Sequence, residues 1–263
     1  MTTAVAPRTL RISGAELPPM LLALALVGTA IAYPLTTGAA RDAVSWTIVV
    51  LGSALSVVHA GLSRGARTGL GVLGLVAAIA VAFEAVGLAT GVPYGEYSYS
   101  DTLGPTLLGV PFLVPLAWLM MAWPSWLLAE RLARRRPVRI AIAAGVLAAW
   151  DVVLDPQMVQ AGYWTWAHAA PGLPGIDTVP LTNLAGWLLA GAVLMTLLDL
   201  LVTRSATPPR ISAAAPLLAL GWMTLGGALA HAGWLGLPGS AAWGAALAVP
   251  VLVAVAVQHR ARR

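Results

Sequence analysis

Cysteine and lysine are both missing from this chain of 263 residues, phenylalanine occurs twice, and charged residues make up only 10%. Without cysteine there are no disulfides, no thiolate nucleophile and no iron–sulfur ligation. Without lysine no Schiff base can form. The four histidines, His59, His168, His231 and His259, are scattered and make no HExxH or similar metal-ligand spacing. What fills the chain is apolar: 59% of residues are hydrophobic. No segment is long and polar enough for a soluble domain.

Apolar runs of about 20 residues, the length a helix needs to cross a bilayer, recur from Leu17 onward. Eight spans are expected: Leu17–Thr36, Ala43–Leu62, Thr68–Thr90, Thr106–Glu130, Val138–Met158, Asn183–Thr203, Ala214–Trp234 and Ser240–Val257. The fold class is therefore all-α, a polytopic membrane helix bundle in one integral domain over residues 1–263. Ala30-Ile31-Ala32 is a weak cleavage-like site, but the run is long for a signal peptide, and a retained helix is expected.

The arginines orient the bundle. Arg8 and Arg11, Arg64 and Arg67, Arg131 to Arg139, Arg204 and Arg210, and Arg260 to Arg263 all fall on one side of the eight-span arrangement, with Arg41 alone on the other. By the positive-inside rule both termini are cytoplasmic, in a multi-pass protein of the cell membrane. The net charge of +5 thus reports orientation and not nucleic-acid binding.

Two long loops, Gly91–Pro105 and Val159–Thr182, lie on the far side and carry no arginine. They hold Tyr94, Tyr97, Tyr99, Tyr163, Trp164 and Trp166, together with Glu96, Asp101 and Asp177. Trp46, Trp234 and Trp243 lie at the same level and read as interfacial anchors. Gly69 to Gly74 matches GxGxxG, but within a span it lacks the strand that a dinucleotide site needs. Close helix packing is the expectation there.

Asp151 and Asp155 end the fifth apolar run. Four residues apart, they share a helix face, and Pro156 suggests that the helix kinks or ends there. Two carboxyls this close in a low-dielectric setting share a proton, which leaves one acid and one base. Acids at membrane depth without a cation read as functional; Glu84 in the third span is a third buried acid, which fits a site role and a hydrogen bond to a neighbouring helix equally. Asp199 and Glu130 lie near arginines as ordinary interfacial charges, and His231 reads as a packing residue near the site. Tyr and Trp faces in the loops suit a pocket in which positive charge develops.

The motifs Glu84, PYGEYSYSDTLG at Pro93–Gly104, GVP at Gly109–Pro111, WDVVLDPQM at Trp150–Met158, GYWTW at Gly162–Trp166 and PLTNLAGW at Pro180–Trp187 occur in order. Together they resemble the membrane carotenoid biosynthesis family, which includes carotenoid 1,2-hydratases. The resemblance covers about Phe83 to Trp187. It departs at Tyr94, where the family more often has Phe, and at Asp177-Thr178-Val179, where an aromatic-glycine pair is common.

The resemblance implies acid-catalysed addition of water across the terminal 1,2 double bond of an acyclic carotenoid, through a tertiary cation and without a cofactor. It implies catalytic roles for Asp151, Asp155 and Glu84. Tyr94, Tyr97, Tyr99, Asp101, Trp150, Tyr163, Trp164, Trp166, Asn183 and Trp187 would bind substrate. The partners implied are an acyclic carotenoid (lycopene-like or longer), water and membrane lipid, with association with other carotenoid enzymes left open; no metal and no nucleic acid are expected. The rival readings are an end-group isomerase or carotenoid binder, a proton-coupled carrier using the same acids, and an aspartate-rich prenyltransferase. The last lacks a second aspartate motif and cations for a diphosphate.

Overall fold

The computed structural model describes residues 13–261 except 206, with side chains described up to residue 249. Helix α1 (Leu17–Ala32) runs into a 3₁₀ turn at Tyr33–Leu35. It is followed by α2 (Gly38–Arg64), α3 (Ala66–Thr90), α4 (Leu113–Leu132), α5 (Arg136–Gln160) and α6 (Leu181–Arg204). The next span is broken into α7 (Ala214–Gly221), a π turn (Trp222–Gly226), α8 (Gly227–Ala230) and a second π turn (His231–Leu235), and α9 (Pro238–Ala261) follows. Among the described residues, seven spans are long and apolar enough to cross a membrane, so the chain is a polytopic all-α membrane bundle. The expected eighth span, Ser240–Val257, falls in α9, whose later side chains lie outside the described residues. Arg8, Arg11, Arg262 and Arg263 lie outside them altogether.

Helix α4 is the axis of the bundle. Its side chains are buried nearly all round, as expected of a helix apolar on every face, and it packs against α2, α3 and α5. Gly69 sits so close to Gly61 that a Cβ there would lie 3.0 Å from the Gly61 Cα, so this glycine of the GxGxxG stretch serves the α2–α3 contact.

Two sequence expectations are corrected. The fourth span does not begin at Thr106: Thr106–Leu107 (β2) and Val110–Pro111 (β3) form a tight hairpin, and the helix starts at Leu113. Leu108 and Gly109, at φ of 55° and 81°, make the turn, which requires left-handed backbone. Of the two outcomes expected at Pro156, a kink or an end, the second is excluded, since α5 continues through Pro156 to Gln160, two residues past the expected Met158. Proline removes one backbone hydrogen bond, and the loss is tolerated here because Val152 and both aspartates are held by packing and side-chain bonds from α6 and its loop.

At the arginine-rich end, Arg64 Nη2 bonds both oxygens of Glu130 at 2.7 Å. Asp199 is fully buried and receives Arg139, Arg136 and the Trp126 indole. Glu130 fits the expected interfacial charge beside an arginine, whereas Asp199 does not: it is wholly buried because three donors from α4 and α5 converge on it. Arg41, at the opposite end, donates to Thr36 O and lies over the Tyr33 ring.

Candidate active site

The two long loops meet as strands. Tyr97–Tyr99 (β1) pairs antiparallel with Trp164–Trp166 (β4), with Tyr97 opposite Trp166 and Tyr99 opposite Trp164. Because side chains alternate across a strand, the Tyr-Ser-Tyr and Trp-Thr-Trp triplets turn four aromatic rings to one face and leave Ser98 and Thr165 outward. The rings interlock: Tyr97–Tyr99 and Tyr99–Trp164 meet edge to face at centroid distances of 5.5 and 5.7 Å. The Trp166 indole donates to Tyr94 O and fixes the sheet to the end of α3.

Behind this face lies a cavity of about 250 Å³. The paired strands and Tyr94 form its capped end, and its walls come from α1, α2, α4, α5 and the π-turned span. Glu84, on α3, is buried there. Both Tyr97 Oη and Tyr99 Oη donate to its Oε2, at 2.5 and 2.7 Å. Burial and the nearby Glu84 push both phenols above the ordinary tyrosine range, so they remain donors.

On α5, Asp151 and Asp155 are 1% and 3% exposed. The Asn183 amide bridges them, giving one hydrogen to Asp151 Oδ2 (2.8 Å) and the other to Asp155 Oδ2 (2.5 Å). The Trp164 indole donates to Asp155 Oδ1 at 3.2 Å. The two aspartates occupy different places. Asp155 lines the main cavity, whereas Asp151 lies behind it, against a void of about 20 Å³ under the Leu173–Pro180 loop. Asp151 Oδ1 has no partner outside the pair.

Of the sequence candidates, Glu84, Asp155, Tyr94, Tyr97, Tyr99, Trp150, Trp164, Trp166, Asn183 and Trp187 converge on this cavity, with Asp151 adjoining through Asn183. Two stand apart. Asp101 is exposed in a 3₁₀ turn and does not reach the cavity. Tyr163 turns to α2, donating to Asp42 Oδ1 at 2.6 Å, and thereby ties the loop to the bundle. Burial, then the bond to Asp42, raises the Tyr163 phenol to about 12. A phenol raised in the folded state stabilises fully below its ordinary value near pH 10, and that contribution is lost as pH rises through 12. Alkaline unfolding of the full chain should therefore shift in a Tyr163→Phe variant, which a thermal melt against pH would register.

Sequence reasoning missed Trp118, Met120, Gln157, Trp222 and Met223, all of which line the cavity. Apolar residues inside spans carry no mark of which face they occupy. For Gln157 the unused signal was an amide in an otherwise apolar helix. His231, fully buried, sits between Ser240 Oγ (2.6 Å) and Gln157 Oε1 (3.0 Å), and so holds the Gln157 amide at the cavity wall.

Tyr94 is 2% exposed, its ring is wedged against Gly87 and Gly186, and its hydroxyl has no partner. An unpaired buried hydroxyl costs about 1–3 kcal/mol. Tyr94→Phe should leave the melting temperature unchanged or raise it, whereas Gly186→Ala, whose methyl would overlap the ring, should lower it.

A membrane helix bundle with a cavity walled by aromatics and carboxyls defines a class: integral membrane proteins with buried acids at an internal cavity. Residues 44–257 match the family described as carotenoid biosynthesis protein, and the chain belongs to that family. It is also 37% identical over 138 residues to the bisanhydrobacterioruberin hydratase of Haloarcula japonica. That match covers 51% of this chain and 45% of the relative, so it spans less than half of the relative's length. No solved structure matches.

Proposed function

We propose that this protein is a carotenoid hydratase that adds water across the terminal 1,2 double bond of an acyclic carotenoid. The observation that carries the reading is one cavity with Asp155, backed by Asp151 and Asn183, and Glu84, fed by two phenols, in its wall. The similarity to a hydratase of bisanhydrobacterioruberin supports the same chemistry.

In this mechanism Asp155, as the member of the aspartate pair that faces the cavity, carries the proton to C2 of the end group. A tertiary cation forms at C1. The rings of Tyr97, Tyr99, Trp164 and Trp166 stand where aromatic faces stabilise that charge. Water bonds to C1 and loses a proton to Glu84, already the acceptor of two phenolic hydrogens. One proton is given and one taken, so the sum is alkene plus water giving a tertiary alcohol. Return of the proton from Glu84 to the aspartate pair resets the site, and no step consumes a cofactor.

The test is expression in a lycopene-making bacterium with pigment analysis by mass spectrometry. A gain of one or two waters per molecule is expected. Unchanged lycopene, followed by an unchanged longer acyclic carotenoid, would sink the reading. Tyr97→Phe or Tyr99→Phe removes one donor to Glu84, and each should lower turnover by about 10- to 150-fold, since a hydrogen bond to a charged group is worth about 1.5–3 kcal/mol.

A further inference from the structure

The cavity has a side mouth. On one rim, α1 ends in its 3₁₀ turn and places Ile31 and Leu35 in the cavity wall. On the other, the span broken by π turns contributes Leu229 and Trp234. All four line the cavity, and yet they are 50%, 66%, 60% and 59% exposed in the same order. A side chain can do both only at an opening. The opposite wall, built on α4, is closed: Trp118 and Met120 are 1% and 4% exposed.

The broken span explains the gap. Helix α1 makes most of its contact with this span along α7, the regular part, and its 3₁₀ turn touches the second π turn, so the opening lies between these two contacts. Beyond Gly221 the two π turns widen the helix, a deformation often found at functional sites.

The named rim residues are apolar and lie in the last turns of two membrane-spanning segments, so the mouth opens at the edge of the hydrocarbon, with Trp234 at the interface. Because the cavity is open at this rim, a chain long enough to cross a bilayer core about 30 Å thick can place one end inside and leave the rest in lipid.

We infer that the gap between α1 and the π-turned span is a lateral portal, through which one end of a long polyene slides in from the bilayer while the rest of the chain stays in lipid against Leu35 and Leu229. The identity of the polyene rests on the hydratase reading; the portal rests on the rim. The protein then reads end groups rather than length. A substrate with two reactive ends must leave and re-dock, so the singly hydrated product accumulates before the doubly hydrated one.

The absence of cysteine gives a clean test. Leu35→Cys and Leu229→Cys are made singly in the full chain, with Leu189→Cys as a control, because Leu189 is 55% exposed on α6 and is not part of the cavity wall. The turnover of each unlabelled variant is measured first and serves as that variant's own baseline. Coupling a benzyl methanethiosulfonate, verified by mass, should slow hydration at least tenfold at Leu35 and Leu229 but not at Leu189, and a reductant should restore it. Labelled rim variants as fast as the labelled control would overturn the portal. So would rim thiols that the reagent fails to modify, since the mouth would then be shut. If the parent makes no hydrated product, it is the hydratase reading that fails. The portal is then scored by polyene quenching of tryptophan fluorescence: label-blocked quenching upholds it, and unaltered quenching overturns it.

Discussion

Asp155→Asn should lower hydration by about 10²–10⁴-fold, the range for loss of a positioned general acid, while pigment still binds. The variant keeps the shape of the side chain and, through Oδ1, can still accept from the Trp164 indole. What it loses is the proton at the cavity wall, and its new amide hydrogens face the Asn183 amide, which now spends one hydrogen on Asp155. Asp151→Asn should also be slow but less so, because Asp151 meets the substrate cavity only through its partners. Turnover by purified protein, set beside its melting temperature, separates chemistry from folding. An Asp155→Asn variant with near-parental turnover would remove Asp155 from the acid role.

Asp199→Ala should be the most destabilising single change at the opposite end of the bundle, by about 3–5 kcal/mol, the cost of breaking one side of a buried ion pair. The Asp199 carboxylate is wholly buried and gathers groups from two other helices: Trp126 of α4, and Arg136 and Arg139 of α5. Without it, the Arg139 guanidinium, itself only 12% exposed, loses its counter-charge. The measurement is a detergent-phase thermal melt, in which Asp199→Ala should unfold well below the parent and Arg136→Ala, whose side chain is 44% exposed, only slightly below. Equal melting of Asp199→Ala and the parent would contradict the account. The two sites use carboxylates in opposite ways, since Asp199 is neutralised by arginines while Asp151 and Asp155 have only neutral donors.

Half of that contrast was legible in the sequence, because no arginine comes near Asp151 or Asp155 in the chain; the partners of Asp199, Arg136 and Arg139, lie about 60 positions away, and packing alone brings them to it. The loop composition was equally open to reading, although its geometry was not. The alternation in Tyr97-Ser98-Tyr99 and Trp164-Thr165-Trp166 is the period of a strand, but two three-residue strands some 65 positions apart are too short for periodicity to announce their pairing. The pairing decides that all four rings face the cavity and that two of the phenols reach Glu84. Tyr163 and Asp101, drawn from the same loops by the same reasoning, turn elsewhere.

By itself the sequence determined seven of the eight expected spans to within a few residues at most ends, the place of the acids near one end of them, and the family, because hydropathy over about 20 residues and ordered motifs are local properties of a chain. Only the tertiary structure decided which aspartate faces the cavity, that Asn183 bridges the pair, that Gln157, Trp118 and Trp222 belong to the wall, and that the wall is open between α1 and the π-turned span. The reason is physical. In a membrane both the lipid-facing and the buried faces of a helix are apolar, so composition cannot tell a rim from a core, and helix packing has to choose.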